Sequence, residues 1–286
     1  MLARATVMRN CRLIVEQVAL SPGNAGSARM AALDRAIFEL PPTGIVMTTD
    51  ADSEVAPDWI MANLAEIDAG ADAVAVVVAF SPATLAALPS FGSARHLEWQ
   101  LADQHARLGT LIDPVAHDPW PNHIWAWGAS LAVTVAAYRT VGGMPPVPLA
   151  VDRAFAARIE AHDLRLRRSH AAVVYTSARR SGRAPGGFAD LIDAYASNAE
   201  MPCDAALEPT MDLVRRLLLR ARCRAAGENG FGARWAMIES TTPALARRRL
   251  HPATLPAEVA LAGRIIAALS PAAAGRADTP VSAPGV

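Results

Sequence analysis

Short apolar segments rich in β-branched residues alternate along this chain with longer segments whose apolar residues recur at helical spacing. Residues 45–49 and 73–80 have the composition of buried strands, and the second of these is dominated by Val. Residues 28–40 and 93–111 show the helical spacing. Strands that alternate with helices pair side by side in one direction, so this order predicts an α/β fold with a mostly parallel sheet.

The alternation extends toward both ends of the chain. Further strands are predicted at 13–20, 125–133, 164–168 and 173–176. Further helices are predicted at 57–70, 152–162, 187–197, 205–226 and 257–269. We therefore expect an α/β domain over residues 1–190, a helical region over 191–269 and a disordered, Ala- and Pro-rich tail over 270–286.

The charge balance and the cysteine pattern narrow the classes of function. The 27 acidic and 27 basic residues give a formal net charge of zero, which offers no general attraction for nucleic acid. The three cysteines, Cys11, Cys203 and Cys223, are scattered, so neither a disulfide framework nor a zinc site is indicated. The first residues lack the apolar region of a signal peptide, and the most apolar stretch, 69–88, is interrupted by Asp72. We expect a cytoplasmic protein without a transmembrane segment.

A basic amphipathic stretch at 213–224 is open to two interpretations. Its arginines and leucines are typical of a helix that lies on a membrane surface, so peripheral membrane contact is one interpretation. The other is a helix that packs on the domain.

Two carboxylates, Asp50 and Asp52, directly follow the predicted strand 45–49. Ligands of open α/β sheets bind outside the carboxyl ends of strands, where two carboxylates can share a hard divalent cation that in turn binds a diphosphate. The alternative is a solvated turn in which Asp52 or Ser53 caps the helix that begins near Pro57. The spacing alone does not separate the two.

Four blocks in a fixed order give the chain a family resemblance. They are DAD at 50–52 with PDW at 57–59, WGASLAV at 127–133 with AYR at 137–139 and VGG at 141–143, VD at 151–152, and TSAR at 176–179 with GR at 182–183 and GG at 186–187. Over residues 13–190 these blocks resemble the soluble bacterial family 2 glycosyltransferases, whose fold is of the GT-A type. The resemblance implies transfer of a sugar from a nucleotide-sugar donor to a hydroxyl acceptor, with inversion at the anomeric carbon.

The resemblance also implies roles for three carboxylates. Asp50 and Asp52 would position a divalent metal, Mn²⁺ or Mg²⁺, and the diphosphate of the nucleotide sugar. Asp152 would be the general base that removes the proton from the acceptor hydroxyl as it attacks. A second interpretation of Asp152 is an N-cap on the helix that it begins.

Arginines on the donor side would approach the phosphates. Arg179 and Arg183 lie in a Gly-rich loop after the last strand, and Arg suits bidentate phosphate binding. Arg29 would approach the nucleotide from a helix start. The alternatives are a solvated basic loop for the first two and a surface residue for Arg29.

The acceptor side is predicted from the second block and the loop before it. Its candidate residues are Trp127, Gly128, Ala129, Ser130, Asp118 and Trp120. Aromatic faces suit sugar stacking, but a Trp pair packed under the sheet and an ordinary surface loop are the corresponding structural interpretations.

The chain departs from the family at two places. Val151 stands where the family has a Glu that helps to bind the acceptor. The first strand, loop and helix of the family, which contact the nucleotide base, would need about 40–60 residues before residue 13. Both departures favour a rival function, a glycosyltransferase-like remnant that binds a ligand or partner without turnover.

Overall fold

A computed structural model describes residues 13–17, 19, 25–86, 89–180, 187–197, 201–227 and 230–270. Within these ranges the helices are α1 (Ala25–Glu39), α2 (Trp59–Asp68), α3 (Pro82–Ala86), α4 (Pro89–Ile112), α5 (Val135–Thr140), α6 (Val151–Ala161), α7 (Phe188–Ser197), α8 (Thr210–Ala225), α9 (Phe231–Thr241) and α10 (Leu255–Leu269). The strands are β1 (Ile45–Thr48), β2 (Glu54–Val55), β3 (Ala73–Ala79), β4 (Leu131–Thr134) and β5 (Leu166–Tyr175). Short 3₁₀ turns lie at Pro243–Leu245 and Pro252–Thr254.

The five strands form one small mixed sheet in the order β1-β4-β3-β5-β2. Strand β4 is antiparallel to both β1 and β3, and β2 is antiparallel to β5, so β3 and β5 are the parallel pair. The prediction of a mostly parallel sheet of the GT-A type is therefore wrong. The sheet is mixed because the connection at 113–130 is long enough to run back along the sheet. Strand β4 therefore starts at the edge where β3 ends and runs antiparallel to it.

Four strand predictions also differ in detail from the structure. Strand β4 begins at Leu131 and not at 125, and the described residues of 13–20 contain no strand. The predicted strands 164–168 and 173–176 are one strand, β5, with a register shift between Val76 and Val77 of its partner. A bulge leaves residues on one strand without a partner on the other, which interrupts the apolar pattern that marks a strand.

The two faces of the sheet are buried against different helices. Ala73 and Ala75 of β3 join a cluster with α1, α5 and α6, whereas Val74 and Val76 join one with Trp59 of α2. This separation follows from the two-residue period of a strand. The sheet is thus covered by helices on both sides, as its continuously apolar strands require.

A separate helical core lies beside the sheet. Leu101 and Leu108 of α4 pack with Leu217 of α8 and with Leu255 and Ala262 of α10. Within the described ranges, one helical segment, Pro252–Leu269, is long and apolar enough to cross a membrane, with a mean hydropathy of 1.3. The expectation of no transmembrane segment stays a prediction.

Candidate functional site

The direction of the strands gathers several predicted site residues at one edge of the sheet. Because β4 is antiparallel to β1 and β3, and β5 is parallel to β3, the strands β1, β3 and β5 all end at the edge where β4 starts. Asp50 follows β1, Gly128 precedes β4 and Arg179 follows β5. We call this group, with Asp52 and Asp152, the strand-end site.

Arg29 of α1 crosses the site to reach Asp50. Its Nη2 donates to Asp50 Oδ1 over 2.5 Å. The guanidinium passes directly over Gly128, where a Cβ atom would lie 1.8 Å from Arg29 Nη1. Thr48 Oγ donates to the Gly128 carbonyl over 2.8 Å and fixes the segment before β4 to the end of β1. Glycine is therefore required at 128 for Arg29 to contact Asp50.

Asp52 faces the loop that follows β5. Its Oδ2 lies 3.1 Å from Arg179 Nη2, and both side chains are partly exposed. Neither Asp52 nor Ser53 caps the helix that follows this turn. Asp58 holds the N-cap position of α2 and makes no side-chain cap bond. Ser53 Oγ is buried and finds no hydrogen-bond partner in the described part of the chain.

A cavity of about 250 Å³ adjoins Asp52. The residues that line it all carry polar groups and are Asp52, Ser53, Glu54, Ser81, Thr84, Tyr175, Thr176 and Ser177. The hydroxyl groups at 81, 84 and 177 were not among the predicted site residues. Their positions in the sequence could have identified them, because each follows the end of β3 or β5, where ligands of α/β sheets bind.

Asp152 is anchored to the segment before β4 by backbone hydrogen bonds. Its Oδ2 accepts from the Gly128 N–H over 2.9 Å, and its Oδ1 accepts from the Arg153 N–H over 2.8 Å. Asp152 does not hold the N-cap position, which belongs to Ala150 with a φ of 52°, but it still satisfies one N–H group in the first turn of α6. Val151 is only 6% exposed and packs in the core, so it presents no group to a ligand.

The other residues of the second block lie inside the fold. Ser130 is buried and accepts from Trp59 Nε1 over 3.0 Å, and Ala129 is also buried. The Trp127 ring stacks on Trp125, with 5.1 Å between centroids, and is partly buried against the helical core. Of residues 127–130, Gly128 therefore faces the strand-end site, and it does so through its backbone.

Asp118 and Trp120 are placed elsewhere. Asp118 Oδ1 accepts from Arg167 Nη1 over 3.0 Å and from the Arg168 N–H over 2.9 Å, near the start of β5. Trp120 lies under the Arg107 guanidinium, 5.0 Å from its ring centroid. Since a strand rises ~3.3 Å per residue, the start of β5 is roughly 20–25 Å from its end, and these two residues do not join the strand-end site. Arg183 lies outside the described residues.

The implied divalent metal would be held by Asp50 and Asp52. Among the described residues there is no group of three or more His, Cys, Asp or Glu side chains that could hold a metal ion. Mg²⁺ is commonly bound by one or two carboxylates together with substrate phosphates, and two carboxylates at a strand end fit that mode. The fit therefore depends on a phosphate-bearing ligand.

Comparisons with protein-family models, curated proteins and solved structures found no significant match for this chain. What the strand-end site can do chemically thus follows from its own groups. It offers partly exposed carboxylates, guanidinium groups that match phosphate geometry, hydroxyl donors in a polar cavity and one carboxylate fixed by two backbone N–H groups. Such a set suits an anionic ligand on one side and proton removal on the other.

Proposed function

We propose that this protein transfers a sugar from a nucleotide-sugar donor to a hydroxyl acceptor at the strand-end site. The observation that carries the proposal is that Asp50 and Asp152, from two distant segments, meet around Gly128, Asp50 through Arg29. Asp52 lies two residues after Asp50 and contacts a second arginine, Arg179. The resemblance assigned these same three carboxylates to one reaction. A divalent cation held with Asp50 and Asp52 would neutralise part of the charge of the diphosphate.

The donor diphosphate would lie over the cavity beside Asp52. The Arg179 side chain is half exposed, so its guanidinium can rotate from Asp52 to a phosphate oxygen and stay close to the Asp52 carboxylate. The Ser53 hydroxyl, which has no partner within the described ranges, can donate to the same phosphates. These donors stabilise the negative charge that grows on the departing nucleotide diphosphate.

Asp152 would remove the proton of the acceptor hydroxyl. Each carboxylate oxygen has two lone-pair sites, so the bonds from the Gly128 and Arg153 N–H groups still leave sites for the hydroxyl. The same two bonds hold the carboxylate in one orientation, which favours in-line attack on the anomeric carbon. Single displacement of this kind inverts the configuration at that carbon.

A second candidate function is ligand binding without turnover. Two observations favour it: Val151 is buried where the family carries an acceptor-binding Glu, and each of Asp50 and Asp52 already contacts an arginine. A binding protein would keep the donor site and need no base at Asp152.

Calorimetric titration of the full chain with UDP- and GDP-sugars, with and without Mn²⁺, tests the donor site. We expect Mn²⁺ to tighten binding and Asp52→Ala to weaken it at least about tenfold, because charge-assisted contacts to phosphate are strong. Asp68→Ala, an exposed carboxylate on α2, is the matched control and should bind as the parent does. Equal affinities for the two variants would refute the donor site. Binding without any sugar transfer or donor hydrolysis would favour the second candidate.

A further inference from the structure

A second, larger cavity lies well away from the strand-end site, where the helical core meets the α/β part. Its volume is about 390 Å³, within the size range of small-molecule sites. The walls come from α4, α6, α8, α9 and the start of β5, and we call it the helical cavity. Its polar lining includes His105, Glu160, Arg168 and Arg220.

Three buried nitrogen atoms on these walls have no hydrogen-bond partner in the part of the chain that the structure describes. They are Arg168 Nε, Arg220 Nε and His105 Nε2. Arg220 Nε lies 3.1 Å from Asp113 Oδ2, an ion pair that does not have hydrogen-bond geometry. An arginine nitrogen can only donate, so the buried Arg168 Nε–H calls for an acceptor that the described residues do not supply. His105 is 3% exposed, and burial together with the Arg247 charge lowers its pKa to about 4. Its ring is therefore neutral near pH 7.

The surrounding carboxylates are engaged by other groups. Asp113 receives two hydrogen bonds from Arg224, at 2.9 and 3.1 Å, so Arg220 is a second guanidinium beside an aspartate that is already paired. Arg168 uses its Nη2 for Glu160, at 3.0 Å. Burial alone would raise the pKa of Glu160, but the charges of Arg168 and Arg220 lower it. Both arginines thus face the same region of the cavity.

Gly109 lines this cavity from the α4 side. It lies inside a 24-residue helix, where glycine is a poor choice relative to alanine. A Cβ atom at this position would meet nothing within 4 Å, so helix packing does not require glycine. The space beside it belongs to the helical cavity.

We propose that the helical cavity binds a small molecule through an oxyanion, a phosphate or a carboxylate, held between Arg168 and Arg220 and beside His105. An oxyanion accepts and does not donate, which matches the unpartnered Nε–H group of Arg168. The body of the ligand lies against the apolar side of the cavity, which is formed by Leu213, Leu217 and Trp235. The proposal is independent of sugar transfer at the strand-end site.

The test is calorimetric titration of the full chain with inorganic phosphate, phenyl phosphate and malonate at matched ionic strength. Arg220→Met should weaken binding at least about tenfold and still fold, because Asp113 keeps its two bonds from Arg224. Arg222→Met, an exposed arginine of the same helix outside the cavity, is the control and should bind normally. Stronger binding of phosphate than of malonate assigns a phosphoryl ligand, and the reverse order assigns a carboxylate.

A second pair of variants tests the placement. Gly109→Leu should fill the space and weaken phenyl phosphate at least about tenfold, whereas Gly109→Ala should leave it unchanged. The absence of binding heat with all three probes overturns the proposal. Equal affinities for Arg220→Met and Arg222→Met, or for the two Gly109 variants, overturn it as well.

Discussion

At the scale of single residues, Gly128 is the centre of the strand-end site. Its carbonyl accepts from Thr48, its N–H donates to Asp152, and its missing side chain leaves the path by which Arg29 reaches Asp50. One residue therefore connects both predicted halves of the site. The family resemblance singled out this glycine, but only the geometry explains why a side chain is excluded.

Gly128→Ala should weaken donor binding as much as Arg29→Met does. The added methyl group would lie 1.8 Å from Arg29 Nη1, so the guanidinium must leave Asp50. Because the obstructing atoms are the far end of a flexible side chain, the fold should tolerate the change. Calorimetric titration of both variants checks this. Full affinity in Gly128→Ala would contradict the role given to Arg29.

Asp152→Asn should lower the transfer rate by roughly 10²–10⁴-fold, the usual contribution of a general base. An Asn side chain keeps one acceptor oxygen, so one of the two bonds from Gly128 and Arg153 is lost. That loss should destabilise the fold by about 1 kcal/mol, or a few degrees in Tm. Rate assays and thermal melts separate the two effects. A variant that is destabilised and yet transfers sugar at the parental rate would make Asp152 structural.

At the scale of elements, the existence of a strand or helix could be predicted better than its direction. Segments 45–49 and 73–80 became β1 and β3 because their apolar side chains are buried on both faces. The direction of β4 depends on how far the connection at 113–130 travels, and composition does not encode that. The same limit misplaced Asp118, whose nearness in sequence to Trp127 says little about its position at the start of β5.

The C-terminal helices depend on a buried charge network. Arg216 of α8 donates to both oxygens of Glu208, each over 2.9 Å, and contacts Glu239 of α9. Arg216→Met should reduce the free energy of unfolding by about 3–5 kcal/mol, because Glu208 would remain as a buried charge with much weaker pairing. The double variant with Glu208→Leu should recover most of that loss. Urea unfolding measures both, and equal destabilisation of the two would contradict the network.

At the scale of the whole molecule, two buried histidines make stability depend on pH. Burial lowers the pKa of His123 to about 3, with His170 adding to the effect, and lowers that of His105 to about 4. One ring nitrogen of His123 accepts from the Trp125 N–H, which requires that nitrogen to be unprotonated. The other lies 3.1 Å from the Ala75 carbonyl, a contact that raises the pKa and offsets part of the effect of burial. The unfolded chain therefore binds more protons than the folded one below about pH 6.5.

The free energy of unfolding should be flat from pH 8 to 7 and fall as the pH drops from about 6.5 to 5. Each of the two histidines contributes up to about 1.4 kcal/mol per pH unit in that range, and the contribution ends near its folded-state pKa. Urea unfolding at several pH values measures the slope. A free energy that stays constant down to pH 5 would mean that these rings charge freely in the folded protein.

The reversed strand β4 also has a consequence for the order of folding. It pairs Ile45 with Thr134 and Thr48 with Leu131. The two strands of this ladder are separated in the chain by the whole of α2, β3, α3 and α4. Closing so long a loop is entropically unfavourable until other contacts hold its ends together. The helices, whose hydrogen bonds are local, therefore form before this ladder. Gly128 and Asp50 meet only when β4 docks, and we expect the strand-end site to be among the last parts of the molecule to form.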